Sequence, residues 1–415
     1  MKYVIIGNSA AGIGAVQGIR EVDTEGEILL ISDEKYHTYS RPLISYYLKG
    51  AVTEDNMIYR PLDFYEKNNV KTMLGVKVTA IDAAAKTVTL DSGEIVGYDK
   101  LMYGAGSVPF VPPMDGMENV ENKFSFMKLD DVKAIEKVVK QGSKVLIVGA
   151  GLIGLKAAEA LEHYGADMTV IDLADRILPS ILDNKGSDIM KAHIESKGVR
   201  FILQTSVKHF EPNSAELTNG ETVDFDFVIL AVGVRPCTSL IEAAGGSVNR
   251  GIETDNTQAV KGLSDVYAAG DCTKSYDISA DTERILAILP NAFMQGNTAG
   301  KCMAGADAHY ENAMPMNAIG FFGLHIITAG SYDGESYIES DGDNYKRLVT
   351  KDNRLCGFIL MGNKIDRAGI YTSMVRNKTP LDSVDFDMLK VNPALMAFSR
   401  GYRDEKLAGG VCSVS

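Results

Sequence analysis

At 415 residues the chain has room for two to three domains at about 150 residues each, and its 45% hydrophobic and 23% charged content is that of a globular protein with an ample core. No run approaches the roughly 18 apolar residues of a membrane span, and the first residues form a polar-flanked strand without a signal-peptide layout, so the sequence predicts a cytoplasmic protein with no membrane partner. A net charge of −13 argues against nucleic acid, whose phosphates are held by clustered Lys and Arg.

The first strand, Val4-Ile5-Ile6, breaks at Gly7-Asn8-Ser9-Ala10-Ala11-Gly12, with a helix predicted over 14–22. A strand that stops at a glycine and restarts as a helix sets bare N–H groups beside a helix N-terminus, which is a seat for a pyrophosphate. Ser9 stands where a glycine is usual. The next strand, over 27–32, ends at Asp33-Glu34; an acid about twenty residues beyond such a turn accepts both hydroxyls of an adenosine ribose. Residues 36–50 read as a loop and a core helix around the Arg41-Pro42 bend, where a ring system would lie after the pyrophosphate, with Arg41 over the ring or over its phosphates.

Short alternating runs from Lys71 to Leu101 predict an antiparallel meander. It leads into a strand that meets Gly104, Ala105 and Gly106, where a ligand or another backbone comes close; Pro109, Pro112 and Pro113 then mark a linker. The strand over 144–148 runs into Gly149-Ala150-Gly151-Leu152-Ile153-Gly154, a complete G-x-G-x-x-G. The helix it opens turns Ala157, Ala158, Leu161 and Tyr164 inward and stops at Gly165, and the following strand ends on Asp172. Gly149 makes the tight turn, Gly151 admits the pyrophosphate and Gly154 lets helix and strand pack. The Asp172 carboxylate pairs with a free 2′-hydroxyl and repels a 2′-phosphate, favouring NADH over NADPH, with Arg176 moderating the preference.

A second meander is expected from 200–203, 214–217 and 225–231, followed by Gly233-Val234-Arg235-Pro236. The buried strand from Asp265 ends on Gly270-Asp271, one carboxylate at the C-terminal edge of a parallel sheet. A small-residue helix from Pro290 towards Gly305 suits close approach of a backbone to a ligand. Beyond about 315 come an acidic loop (Asp333 to Asp343), a hairpin of 345–350 with 355–361, a helix from about Lys364 to Arg376 and a last amphipathic region. Residues 346–406 hold twelve Lys and Arg against seven Asp and Glu, about +5 there and about −18 elsewhere; this reads either as scattered solvated charge or as a docking surface for an acidic partner. Five cysteines without a C-x-x-C exclude a local redox dithiol or an iron–sulfur motif and fit buried thiols in a reducing compartment, and six unpaired His predict no metal.

Together these motifs resemble the pyridine nucleotide-disulfide oxidoreductase superfamily, most of all its NADH:rubredoxin and ferredoxin reductases and the flavin portion of NADH nitrite reductases. The resemblance rests on Gly7 to Gly12 with Glu34, Tyr39 to Ser45, Tyr98 to Pro109, Gly149 to Glu159 with Asp172, Gly233 to Pro236, and Ala268 to Asp271. It implies an α/β fold of two Rossmann-like dinucleotide domains, each a parallel sheet plus an antiparallel meander: an FAD domain over 1–113 and 246–314, an NAD(H) domain over 114–245, and a smaller α+β interface domain over 315–415. It also implies that Gly7, Ser9, Ala10, Ala11 and Gly12 hold the FAD pyrophosphate, that Glu34 holds the ribose with Asp33 a competing candidate, that Arg41 and Pro42 lie near the flavin beside Ala105 and Gly106, and that Asp271 after Gly270 bonds the ribityl chain. Electrons would pass from NADH through FAD to a ferredoxin, a rubredoxin or a redox enzyme subunit, with an NADH oxidase as the rival activity and a homodimer left open.

Three departures matter. The loop from Leu43 to Tyr46 lacks the reactive Cys of disulfide-reducing members, Tyr46 replaces a frequent Lys, and Lys156 replaces a frequent Glu. Lys156 is therefore the catalytic candidate, as a cation near the flavin N5 edge; a helix-surface lysine is the alternative.

Overall fold

The computed structural model describes residues 1–408; Cys412 lies outside them. Two compact units emerge, one of Met1–Ser180, Glu195–Tyr276 and Glu283–Ala313, the other of Ile181–Ile194, Asp277–Thr282 and the chain from Met314 onward. Among the described residues no helix is long and apolar enough to cross a membrane.

In the first unit, Lys2–Ile6 pairs in parallel with both Glu27–Ser32 and Lys100–Tyr103. Val4, Ile5, Leu30 and Ile31 are fully buried, as strands covered on both faces require. Val70–Leu74 and Val266–Ala268 complete the five-stranded sheet at its two edges. The meander is accordingly shorter than predicted, Val78–Asp82, Thr87–Leu90 and Ile95–Gly97, because Val70–Leu74 is taken by the parallel sheet. The first helix, α1 (Ala10–Arg20), begins four residues before its expected start. Helix α2 (Leu129–Val138) follows the linker.

The second sheet runs Arg200–Leu203, Asp167–Asp172, Lys144–Val148, Phe227–Leu230, Lys123–Phe124, all parallel, with helix α3 (Leu152–Leu161) after its central strand. This corrects the second meander. All four residues of Phe227–Leu230 are buried, so that strand belongs inside a covered sheet, and the antiparallel sheet is built from Val207–Glu211, Ser214–Leu217 and Thr222–Asp224 instead. The small-residue helix, α4 (Leu289–Met303), packs against α1. A Cβ at Gly296 would stand 2.0 Å from the Ala11 carbonyl oxygen and one at Gly14 2.3 Å from that of Phe293, so the small residues let two helix backbones touch. The same packing places Gly14 and Gly18 in a helix despite their poor helix propensity.

The second unit is built on an antiparallel sheet ordered Met316–Phe321, Leu324–Gly330, Arg354–Met361, Asn344–Lys351, Glu335–Asp341. The acidic stretch expected to be a loop supplies the edge strand Glu335–Asp341. The expected helix divides into a 3₁₀ turn, Gly362–Ile365, and a helix, Ala368–Arg376, because Arg367 takes a left-handed conformation between them. On the edge strand, Glu339 accepts hydrogen bonds from Lys346 (2.8 Å), Lys364 (3.1 Å) and the Tyr337 hydroxyl (2.7 Å).

Burial alone would raise the Glu339 pKa, yet these donors win and bring it down to about 2. A folded-state pKa below the unfolded one contributes stability above the usual carboxylate range and loses it as pH falls towards 2. With screening by solvent, Glu339→Gln should remove about 1 kcal/mol at neutral pH and flatten the acid limb between about pH 4.5 and 2; chemical denaturation across that range checks both.

Candidate nucleotide sites

At the first turn Gly7 has φ 109° and its N–H donates to the Ile31 carbonyl (2.8 Å). A Cβ there would lie 2.3 Å from the Gly104 oxygen, and one at Gly12 would lie 1.9 Å from the Gly7 oxygen. Ser9, at φ −107°, is extended and needs no glycine, which explains the substitution in the motif. Ala10, Ala11 and Gly12 then form the first turn of α1, whose amides have no partner within the helix.

Arg41 closes this seat. Its Nε lies 3.4 Å from Ser9 Oγ, one Nη donates to the Met127 carbonyl (3.3 Å), and the other forms an ion pair with Glu34. Burial opposes the Arg41 charge, but Tyr39 and Glu34 more than offset it. The second Glu34 oxygen accepts from the Tyr39 hydroxyl (2.6 Å), which in turn accepts the Leu129 N–H at the start of α2 (3.1 Å). Arg41 thus stands beside the first glycine turn, and of the two adjacent acids the buried Glu34 faces it. Asp33 is turned to solvent, 54% exposed, and paired with Lys128 (2.8 Å). Pro42 is exposed beside Arg41 in a 3₁₀ turn.

Ala105 is exposed, and Gly106, at φ 67°, accepts from the Cys237 N–H (2.9 Å). Gly270, at φ 88°, donates to Gln295 Oε1 (2.9 Å), and Gln295 donates onward to Thr273 Oγ1 (3.0 Å) and Ser275 Oγ (2.9 Å). This buried network fixes the turn that presents Asp271, whose pKa burial raises and the nearby Arg41 charge lowers. Lys128 and Gln295 carried no role in the motif reading; their contacts with Asp33 and with Gly270, Thr273 and Ser275 join segments far apart in sequence, so spacing could not find them.

The second turn repeats the first. Gly149, at φ 117°, donates to the Ile171 carbonyl (2.8 Å); a Cβ at Gly154 would stand 2.0 Å from the Gly149 oxygen. Gly151 differs, because a Cβ there would meet no protein atom within 4 Å. Leu152 and Ile153 open α3 beside it. The Asp172 carboxylate accepts from the N–H groups of Ala150 (2.7 Å) and Ala174 (2.8 Å), one on each oxygen, so it braces the turn while keeping further lone pairs. Arg176 pairs with Asp175 (2.9 Å). Gly233, at φ 137° and exposed, precedes Val234–Pro236, which pairs antiparallel with Ser107–Pro109 where the chain crosses between the two halves.

Lys156, one turn into α3, forms an ion pair with Glu159, and its Nζ lies 4.9 Å from the centre of the Tyr46 ring in the short helix Ile44–Leu48. Its side chain is 14% exposed.

The basic C-terminal stretch is largely neutralised. Lys346, Arg347, Lys351, Lys364, Arg367, Lys378, Lys390 and Arg400 are ion-paired within their own unit. Residues 314–345 bring five acids and no Lys or Arg to the same unit. The side chain of Lys406 lies outside the described part. Of the described cysteines, only Cys272 is fully buried; Cys237, Cys302 and Cys356 are half-buried, which corrects the expectation of uniformly buried thiols.

Residues 1–296 match the family model for pyridine nucleotide-disulphide oxidoreductases. The chain belongs to the pyridine nucleotide-disulphide oxidoreductase family. Its relatives include the NADH-dependent phenylglyoxylate dehydrogenase subunit epsilon of Aromatoleum evansii, 28% identical over 92% of both chains. The NADH-rubredoxin oxidoreductase of Clostridium acetobutylicum is 26% identical over 92% of this chain and 98% of that one. The covalent putidaredoxin reductase–putidaredoxin complex contains the same fold, with a TM-score of 0.87 over 98% of both chains at 21% identity. The chain spans about half the length of the nitrite reductases it matches.

Gly151→Ala should leave the fold intact, since its Cβ meets open space, but should crowd a pyrophosphate laid on the turn. The expected result is an unchanged melting temperature and a KM for NADH at least about tenfold higher in steady-state assays.

Proposed function

We propose that the chain binds FAD at its first turn and NADH at its second and passes electrons from NADH through FAD to a one-electron iron–sulfur or rubredoxin-type protein or a redox partner subunit. The supporting observation is the repetition within one compact unit: two strand–turn–helix seats, each with a glycine pair that excludes side chains and an acid after the second strand. The residues at both seats fit dinucleotides. Gly7, Ser9, Ala10, Ala11 and Gly12, with Arg41 above them, take the FAD pyrophosphate; Glu34 takes the adenosine ribose and Asp271 the ribityl chain. Gly149, Gly151, Leu152, Ile153 and Gly154 take NADH, and Asp172 favours it over NADPH by charge.

Bound FAD would supply the conversion of a two-electron hydride into the single electrons that one-electron carriers require. The chain contributes binding, alignment and fixed charge. No thiol step belongs to this reading: residues 43–46 contain no Cys, and burial pushes the Cys272 thiol up to about 12, far from a reactive thiolate. The similarity to a dehydrogenase subunit supports the partner-subunit form, and the need for NADH fits a cytoplasmic location.

Offering rubredoxin, ferredoxin and oxygen in turn to the NADH-reduced protein tests the acceptor. The reading expects carrier reduction at least about tenfold faster than oxygen consumption. Fast oxygen consumption without a carrier would replace it with an NADH oxidase, and turnover with artificial acceptors alone, together with a co-purifying chain, would assign the partner-subunit form.

A further inference from the structure

We propose that Tyr46 and Glu159 hold the Lys156 ammonium as a fixed positive charge where the two nucleotide seats meet, and that this charge sets the reduction potential of the bound flavin. This inference rests on the FAD and NADH reading and deepens it.

Tyr46 follows directly on the segment that carries Arg41, and so belongs to the first seat. Lys156 lies one turn into α3, whose N-terminus is the second seat. The contact between them, 4.9 Å from ammonium to ring centre, therefore joins the two seats. With the two nucleotides in the seats proposed above, a charge held at this contact stands between them.

The Lys156–Glu159 pair is also poorly explained as a stability device. The two side chains are 14% and 13% exposed, and removing an ion pair from water commonly costs as much as its attraction returns. A partly desolvated charge there is suited to act on a neighbouring group. Two-electron reduction makes a flavin more negative, and a preorganised cation in a water-poor site stabilises that form. Glu159, of opposite sign, tempers the effect. The Tyr46 ring holds the ammonium by its π face without adding a second cation.

Spectroelectrochemical titration of the flavin in the holoenzyme reads this directly, in the wild type and in Lys156→Met, Lys156→Arg, Glu159→Gln and Tyr46→Leu. Lys156→Met should lower the midpoint potential by a tenfold change in the oxidised-to-reduced equilibrium, about 30 mV for a two-electron couple, and Tyr46→Leu should lower it less. Glu159→Gln should raise it, and Lys156→Arg should keep it near wild type. Opposite shifts from two neighbouring residues are a signature that loss of packing does not produce. Unchanged potentials in Lys156→Met and Glu159→Gln, with flavin bound and reduced by NADH, overturn the inference and leave the cofactor reading standing. A wild-type protein that holds no flavin overturns the cofactor reading itself. Should Lys156→Met fail to retain flavin, Glu159→Gln decides alone, and any result other than a rise is contrary.

Discussion

Backbone lying against backbone is the constraint on which this molecule depends. In each nucleotide seat the carbonyl of the first glycine occupies the space that a Cβ on the third would need, 1.9 Å away at Gly12 and 2.0 Å at Gly154. That closeness bends the strand tightly into its helix, so that the free amides of the helix N-terminus face outward over the sheet edge. The same economy recurs where α1 lies on α4 through Gly14, Gly18, Gly296 and Gly300. The helix that carries the first seat is thereby locked to α4, whose Gln295 fixes the Gly270-Asp271 turn.

Features with local causes were legible in the sequence. Both glycine turns, the acids at Glu34 and Asp172, and the buried strand ahead of Asp271 each depend on residues near in sequence, and spacing is a sound guide to such contacts. Arg41 was legible as a residue of the site, with its place over the ring or over the phosphates open. The structure sets it between Ser9 and Glu34, beside the first glycine turn.

What the sequence concealed depends on distant pairing. An apolar run such as Phe227–Leu230 suits an antiparallel or a parallel strand equally, and only its far upstream partner Lys144–Val148 decides. A stripe of small residues reads as room for a ligand, and the helix α1 that packs on it could not be read from spacing. The charge sum over 346–406 left scattered charge and a docking surface both open, and it could not show that Asp183, Asp281, Asp333 and Glu339, all outside that stretch, pair with five of its cations. The Tyr39 bridge from Glu34 to the start of α2 likewise crosses a long stretch of chain.

The account requires two nucleotides end to end in one unit, with a flavin between a hydride donor and a one-electron sink. The visible spectrum of the purified protein during a titration with NADH in the absence of air measures this most directly. The account predicts one flavin per chain, bleached by one equivalent of NADH. A folded protein that is colourless and takes up no added FAD, or a flavin that NADH leaves oxidised, would contradict it.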